Sequence, residues 1–238
     1  MKLDILAFAA HPDDAELSAA GTLIKAKKAG KKIGIVDLTQ GELGSRGTAE
    51  TREQEAKDAT AIMQADVRVN LGMWDGYFED NRENISLIIQ QIRKYKPEVI
   101  LANAVSDRHP DHGRAAKLVQ KACFLSGLIK IKTLWDAENQ APWRPKAVYH
   151  YIQDYYIKPD VVIDITDEVE EKLAAIKAYK TQFYDPKSVA PVTPISGEEF
   201  FDFLKGRWSD FGRYIGAKYG EGFTVSRPVG VEQITDLL

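Results

Sequence analysis

Short apolar runs alternate with segments of helical spacing as far as Leu125, and nothing else in the sequence narrows the fold as much. Brief apolar runs bounded by turn residues read as buried strands, while apolar positions recurring every three or four residues read as helices. By these criteria Leu3–Ala9, Lys32–Leu38, Val67–Leu71 and Glu98–Ala102 are strands. Glu16–Ala29, Ala49–Ala65, Glu83–Tyr95 and Gly113–Leu125 are helices. Gly30 closes the first, and Ile85, Ile88, Ile89 and Ile92 form one stripe along the third. Alternation of this kind builds a parallel sheet covered by helices. The expected fold is α/β, a Rossmann-like parallel-sheet three-layer sandwich. Further on the pattern loosens. Ala147–Ile152 and Val161–Ile165 read as strands, and Asp167–Gln182 and Glu198–Tyr219 as helices. Asp185–Gly197, with Pro186, Pro191 and Pro194, reads as a surface loop and a candidate substrate lid. The glycines at 41, 44 and 47 make a second loop. No linker or repeat divides the chain, so residues 1–238 are expected to form a single domain.

Ligands of an open α/β sheet gather beyond the carboxyl ends of its strands. Two predicted strands run into a His-Pro-Asp tripeptide there: His11-Pro12-Asp13-Asp14 after the first, His109-Pro110-Asp111-His112 after the fourth. Three of the four histidines lie in these two pieces. His11 and Asp14 stand three apart in a turn that Pro12 stiffens, and can converge on one ion. Asp13 and Asp14 are adjacent and diverge, so one can bind metal while the other faces the bound water as a general base. His109 and His112 are likewise three apart, with Pro110 at a first helical position. One can complete a metal shell while the other meets the substrate, with Asp111 holding an imidazole and favouring its charged form. Two histidines and a carboxylate with open positions suit Zn²⁺, and Fe²⁺ as well. Taken singly, each motif is equally well explained as a helix cap. Both together at equivalent strand ends are better explained as one site.

Charge and composition remove other classes. The formal net charge of −3 offers no basic excess for nucleic acid. No stretch is long and apolar enough for a membrane span, and Met1–Ala10 lacks the charged start of a signal peptide. The single cysteine, Cys123, forms no internal disulfide and reads as a small buried apolar side chain. A cytoplasmic location is expected on these grounds. His150, within Val148–Ile152, reads as a strand residue rather than a ligand.

Ala10-His-Pro-Asp-Asp-Ala-Glu16 together with His109-Pro-Asp-His112 resembles the two-part signature of the LmbE-like N-acetylglucosaminyl deacetylases, the PIG-L family. The loop Thr39–Glu55 is similar to the family's Gly-Glu loop followed by Arg-x-x-Glu, here Arg52 and Glu55, and Leu71-Gly72 and Asp75-Gly76 also resemble the family pattern. Ser106–Ala115 and Ser196–Phe201 resemble the branch that acts on N-acetylglucosaminyl-malate in bacillithiol biosynthesis. Asp107 stands where mycothiol-pathway relatives carry Tyr. The resemblance implies an amide hydrolase, a homo-oligomer with a small amino-sugar substrate. It implies Zn²⁺ held by His11, Asp14 and His112, and Asp13 as general base. It further implies His109 as oxyanion stabiliser and proton donor, oriented by Asp111. Arg52, Arg108 and Glu42 are candidates for binding carboxylates or hydroxyls of the substrate. Chitobiose-like sugars and N-acetyl-cysteine conjugates are alternative substrates of the same chemistry. A nucleotide-binding regulatory domain is disfavoured, because two acids stand where a glycine-rich phosphate turn belongs.

Overall fold

The computed structural model describes residues 1–183 and 185–237. Strands β1 (Ile5–Ala9), β2 (Ile33–Thr39), β3 (Val67–Met73) and β4 (Val99–Ala102) alternate with helices α1 (Asp14–Lys28), α2 (Ala49–Met63), α3 (Arg82–Tyr95) and α4 (Pro110–Ser126). A two-residue hairpin follows, β5 (Leu134–Trp135) with β6 (Glu138–Asn139). The remainder is β7 (Ala147–Tyr151), β8 (Val161–Asp164), α5 (Val169–Lys177), α6 (Glu199–Tyr214) and β9 (Gly220–Val225).

The main sheet runs β3-β2-β1-β4-β7-β9-β8, so the strand order reverses its direction between β1 and β4. The first five strands in that order pair in parallel, and β9 pairs antiparallel with both β7 and β8. One face buries Leu6, Phe8, Val36 and Ile100 against the isoleucine stripe of α3 and against Leu118 and Val119 of α4. The other buries Ala7, Ala9, Ile33 and Ile35 against Ala15, Ala19 and Leu23 of α1. The alanines let α1 approach the sheet closely. A third cluster joins Ile176 of α5 to Leu204 and Trp208 of α6. The structure is thus mixed α/β with a mostly parallel central sheet between helical layers.

Three elements depart from the sequence reading. The helix expected to reach Tyr219 stops at Tyr214, and β9 follows it. Gly220 and Gly222 weaken any strand signal there, but the packing requires them. A Cβ on Gly222 would lie 3.0 Å from the Phe211 ring, and one on Gly220 2.9 Å from the Gly212 nitrogen. The helix expected over Asp167–Gln182 is shorter, a 3₁₀ turn at Thr166–Glu168 leading into α5. The β5–β6 hairpin turns through Asp136 and Ala137 at φ 49° and 64°, without the Asn-Gly or Gly-Gly pair that signals such a turn.

A buried ion pair is set into the middle of α1. Lys172 of α5 and Glu221 of β9 bond each other at 0% and 1% side-chain exposure. The Lys172 Nζ also donates to the Leu17 carbonyl at 2.8 Å. Glu221 accepts from the Gly21 and Thr22 backbone amides at 2.9 and 2.7 Å. Thus α5 and β9 are tied to α1 about two turns beyond its N-terminus.

Candidate active site

The crossover at β1 and β4 sets up the site. Ile5 pairs with Val99, so the two strands end side by side and both His-Pro-Asp turns open into one crevice. The first turn is strained. Asp13, the residue before α1, has φ 120°, a left-handed conformation that costs a non-glycine residue about 1–3 kcal/mol. Arg52 of α2 holds it there. Its Nη2 donates to the Pro12 carbonyl and, at 2.9 Å, to Asp13 Oδ2. Its Nη1 lies against the glycine loop, where a Cβ on Gly41 (φ +66°) would come within 2.3 Å of it, so only glycine fits. The strained turn sends adjacent carboxylates in different directions, Asp13 to the guanidinium and Asp14 to the imidazoles.

Asp14 is the hub. Its Oδ1 is 3.1 Å from His112 Nε2 and its Oδ2 is 3.6 Å from His11 Nδ1. The far nitrogen of each imidazole meets another carboxylate: His112 Nδ1 is 2.5 Å from Asp107, and His11 Nε2 is 3.0 Å from Asp75 and 3.4 Å from Asp111. Two carboxamides complete the hub. Asn103 Nδ2 donates to Asp14 Oδ2 at 2.9 Å, and Gln153 Nε2 to Asp14 Oδ1 at 3.0 Å. His11, His109 and His112 bring one ring nitrogen each within 4.8 Å of one another. Imidazoles and a carboxylate, each imidazole backed by a second carboxylate, fit a divalent transition ion, with His11, Asp14 and His112 as the residues that would hold it.

His109 stands differently from its sequence expectation. It precedes α4, its ring stacks on His112 with centroids 5.2 Å apart, and its Nδ1 accepts the Asp111 backbone amide at 3.3 Å. The Asp111 carboxylate turns away from it, accepting from the Gly76 amide at 2.9 Å and from Arg114 at 2.7 Å. Burial, and then the neighbouring His11 and His112 charges, push the His109 pKa down. A neutral His109 with Nδ1 as acceptor carries its proton on Nε2. The expectation that Asp111 would favour a charged His109 is therefore corrected: the fixed geometry gives that carboxylate to another imidazole.

The remaining groups divide sharply. Burial raises Asp13 to about 7, although Arg52 opposes it. Asp14 is held well below the usual carboxylate range, because His112 and His11 outweigh the effect of burial. Against the same burial, Asp14 and Asp107 lift His112 to about 9. An ion bound at His112 must displace that proton. Metal affinity is expected to rise by at least about tenfold per pH unit from pH 6 to 8, and to fall as acid protonates the ligand. Calorimetry in buffers of differing ionisation enthalpy would count the released proton, and a pH-independent affinity would contradict a protonated His112. Asp107→Asn, which weakens the partner of His112, is expected to cost about 10- to 100-fold in metal affinity by chelator competition.

The candidate substrate residues are placed unequally. Arg52 and Arg108 line the cavity, about 410 Å³, that opens over the imidazoles. Arg52 is buried and engaged with Asp13, while Arg108 pairs with Asp154 at 3.0 Å on the exposed rim. Glu42 lies outside the cavity lining and accepts from the Asp75 and Gln40 backbone amides. The Pro-rich segment is tied down by Arg46, which donates to Thr181, Pro191 and Ser188, and Ile195 forms part of the cavity wall. His150 is buried, with Nδ1 2.8 Å from the Asn103 carbonyl, and Cys123 is buried with its thiol pushed up to about 12. Sequence reasoning gave no role to Asp75, Asn103, Asp107 or Gln153. Each follows the carboxyl end of β3, β4 or β7 within a few residues, and the strand-end rule is the signal that could have found them.

Imidazoles converging on a carboxylate at the switch point of a parallel sheet make a site fit for a divalent ion and for hydrolytic chemistry at it. Residues 6–123 match the family model PIG-L, GlcNAc-PI de-N-acetylase, and the chain belongs to this LmbE-like family. It is 27% identical over 228 residues to a diacetylchitobiose deacetylase of Thermococcus kodakarensis, covering 92% of this chain and 81% of that protein. It is 25% identical over 199 residues to a probable N-acetyl-α-D-glucosaminyl L-malate deacetylase 2 of Bacillus subtilis, covering 76% of this chain and 84% of that one. Among solved structures, the conserved protein TT1542 from Thermus thermophilus superposes with a TM-score of 0.85 at 35% identity, over 98% of each chain. No helix among the described residues is long and apolar enough to cross a membrane.

Proposed function

We propose that this protein hydrolyses the N-acetyl amide of an N-acetylglucosamine glycoside, with Zn²⁺ or Fe²⁺ held by His11, Asp14 and His112. The reading rests above all on Asp14 standing between two carboxylate-backed imidazoles while Asp13 is turned aside. A bound divalent ion would supply Lewis-acid activation of water and of the amide carbonyl. Asp13, raised to about 7, is poised at neutral pH to take the proton of the attacking water and to pass it to the departing amine. Arg52 acts through Asp13, fixing its direction. His109, neutral and with its proton on Nε2, is suited to donate a hydrogen bond to the developing oxyanion.

The aglycone is the open part of this reading. The malate glycoside is favoured by Ser106–Ala115 and Ser196–Phe201, and the chitobiose disaccharide by the more extensive of the two similarities. Acetate release from N-acetylglucosaminyl-malate, diacetylchitobiose and free N-acetylglucosamine, each with metal-loaded and chelated protein, tests the proposal. Metal-dependent release with a preference for either conjugate supports it and identifies the aglycone. Release from none of the three, with the metal bound, would overturn it.

A further inference from the structure

Asp14 is buried, and a buried polar group needs partners. An ionised carboxylate offers about four acceptor positions, two on each oxygen. Oδ2 of Asp14 accepts the His11 backbone amide and Asn103 Nδ2, both at 2.9 Å, so this oxygen is fully covered. Oδ1 accepts Gln153 Nε2 at 3.0 Å. Its remaining side faces His112 Nε2 at 3.1 Å. Amide N–H groups thus cover all of the carboxylate except one position on Oδ1, beside a ring nitrogen that would also hold the ion.

The two carboxamides are not free to turn over and present oxygens instead. Asn103 Oδ1 accepts the Ala10 backbone amide at 2.9 Å, and Gln153 Oε1 accepts the Ala104 backbone amide at 3.1 Å. A backbone N–H only donates, so each side chain must direct its NH₂ group at Asp14. Asn103 Nδ2 gives its other hydrogen to Gln153 Oε1, 3.1 Å away, which joins the two side chains into one unit. His150 Nδ1, 2.8 Å from the Asn103 carbonyl, anchors that unit from β7. The unit therefore ties together the carboxyl ends of β1, β4 and β7, and its orientation is set by backbone groups rather than by an ion.

We propose that Asn103 and Gln153 are positioning residues that make Asp14 a metal ligand through Oδ1 alone. The proposal rests on the reading that His11, Asp14 and His112 hold the ion. A carboxylate that chelates through both oxygens takes two coordination positions, and one that binds through a single oxygen takes one. Covering Oδ2 therefore leaves a further position open, as a catalytic ion that must accept water and a carbonyl oxygen requires.

The test is the crystal structure of the Zn²⁺-loaded protein beside those of Asn103→Leu and Gln153→Met, with Zn²⁺ affinity measured by chelator competition. In the unaltered protein, Asp14 Oδ1 is expected at about 2.0–2.2 Å from the ion, with Oδ2 beyond bonding distance. Asn103→Leu uncovers Oδ2 and is expected to bring both oxygens onto the ion. Gln153→Met leaves Oδ2 covered and is expected to keep single-oxygen binding. Each variant is expected to lose about 10- to 100-fold in affinity. Two-oxygen binding in the unaltered protein, or single-oxygen binding in Asn103→Leu, overturns the proposal. Unchanged affinity in both variants overturns it as well. If Asn103→Leu does not fold, the unaltered structure and the affinity of Gln153→Met still decide the matter. Zn²⁺ bound away from His11, Asp14 and His112 would refute the metal reading itself, a result distinct from two-oxygen binding at those residues.

Discussion

Asp13→Asn is expected to retain its metal and lose about 10²- to 10⁴-fold in kcat, the usual contribution of a positioned general base. The substitution isolates proton transfer. Asn tolerates positive φ better than most residues, so the strained turn at φ 120° should survive. The Arg52 contacts to the Pro12 and Gly41 carbonyls do not depend on the Asp13 carboxylate. Asp14, which makes the contacts to both imidazoles, is untouched. Metal content measured beside the rate separates the two carboxylates: Asp14→Asn is expected to lose the ion, Asp13→Asn only the turnover. A rate near that of the unaltered protein in Asp13→Asn would remove Asp13 from the chemistry and return Arg52 to the role of a structural cation.

Lys172→Met is expected to give the largest stability loss, about 3–5 kcal/mol, because it leaves the buried Glu221 carboxylate without its counter-charge. It also orphans the Leu17 carbonyl in the middle of α1. For a domain of this size, the loss corresponds to a drop of roughly 6–20 °C in Tm. Surface pairs such as Lys121–Asp80 should contribute far less, since both partners are about half exposed. The double variant Lys172→Met/Glu221→Gln removes both charges at once and should be more stable than Lys172→Met alone. Thermal unfolding of the unaltered protein, Lys172→Met, Glu221→Gln and the double variant closes that cycle, and additive losses would show that the two side chains do not act as a pair. Because Leu17 and Glu221 also line the cavity, loosening the pair is expected to disturb the cavity wall as well as the fold.

Much of the architecture was legible because its signals are local. Alternating apolar runs and helical stripes place β1 to β4 and α1 to α4 within a few residues of where they occur. The strand β9 was not legible, since its two glycines weaken the strand signal and answer to close packing against Phe211 and Gly212, which only the folded chain shows. The site divides along the same line. His11, Asp14, His109 and His112 stand out because strand ends and three-residue spacing are sequence properties. The directions in which side chains point are not. Arg52 reads as a substrate contact, and in the structure it is buried against Asp13. Asp111 reads as the partner of His109, and its carboxylate reaches His11 instead.

The layered α/β frame, and the convergence of two His-Pro-Asp turns at neighbouring strand ends, were already set by residue order, because pleat, helix period and proline geometry act over a few residues. Long-range packing settled which carboxylate backs which imidazole, that Asn103 and Gln153 grip Asp14, and that apolar residues of α6 line the cavity beside it. Those outcomes depend on contacts between residues far apart in the chain. In a buried site, such contacts set proton affinity and shape through distances of a few ångströms.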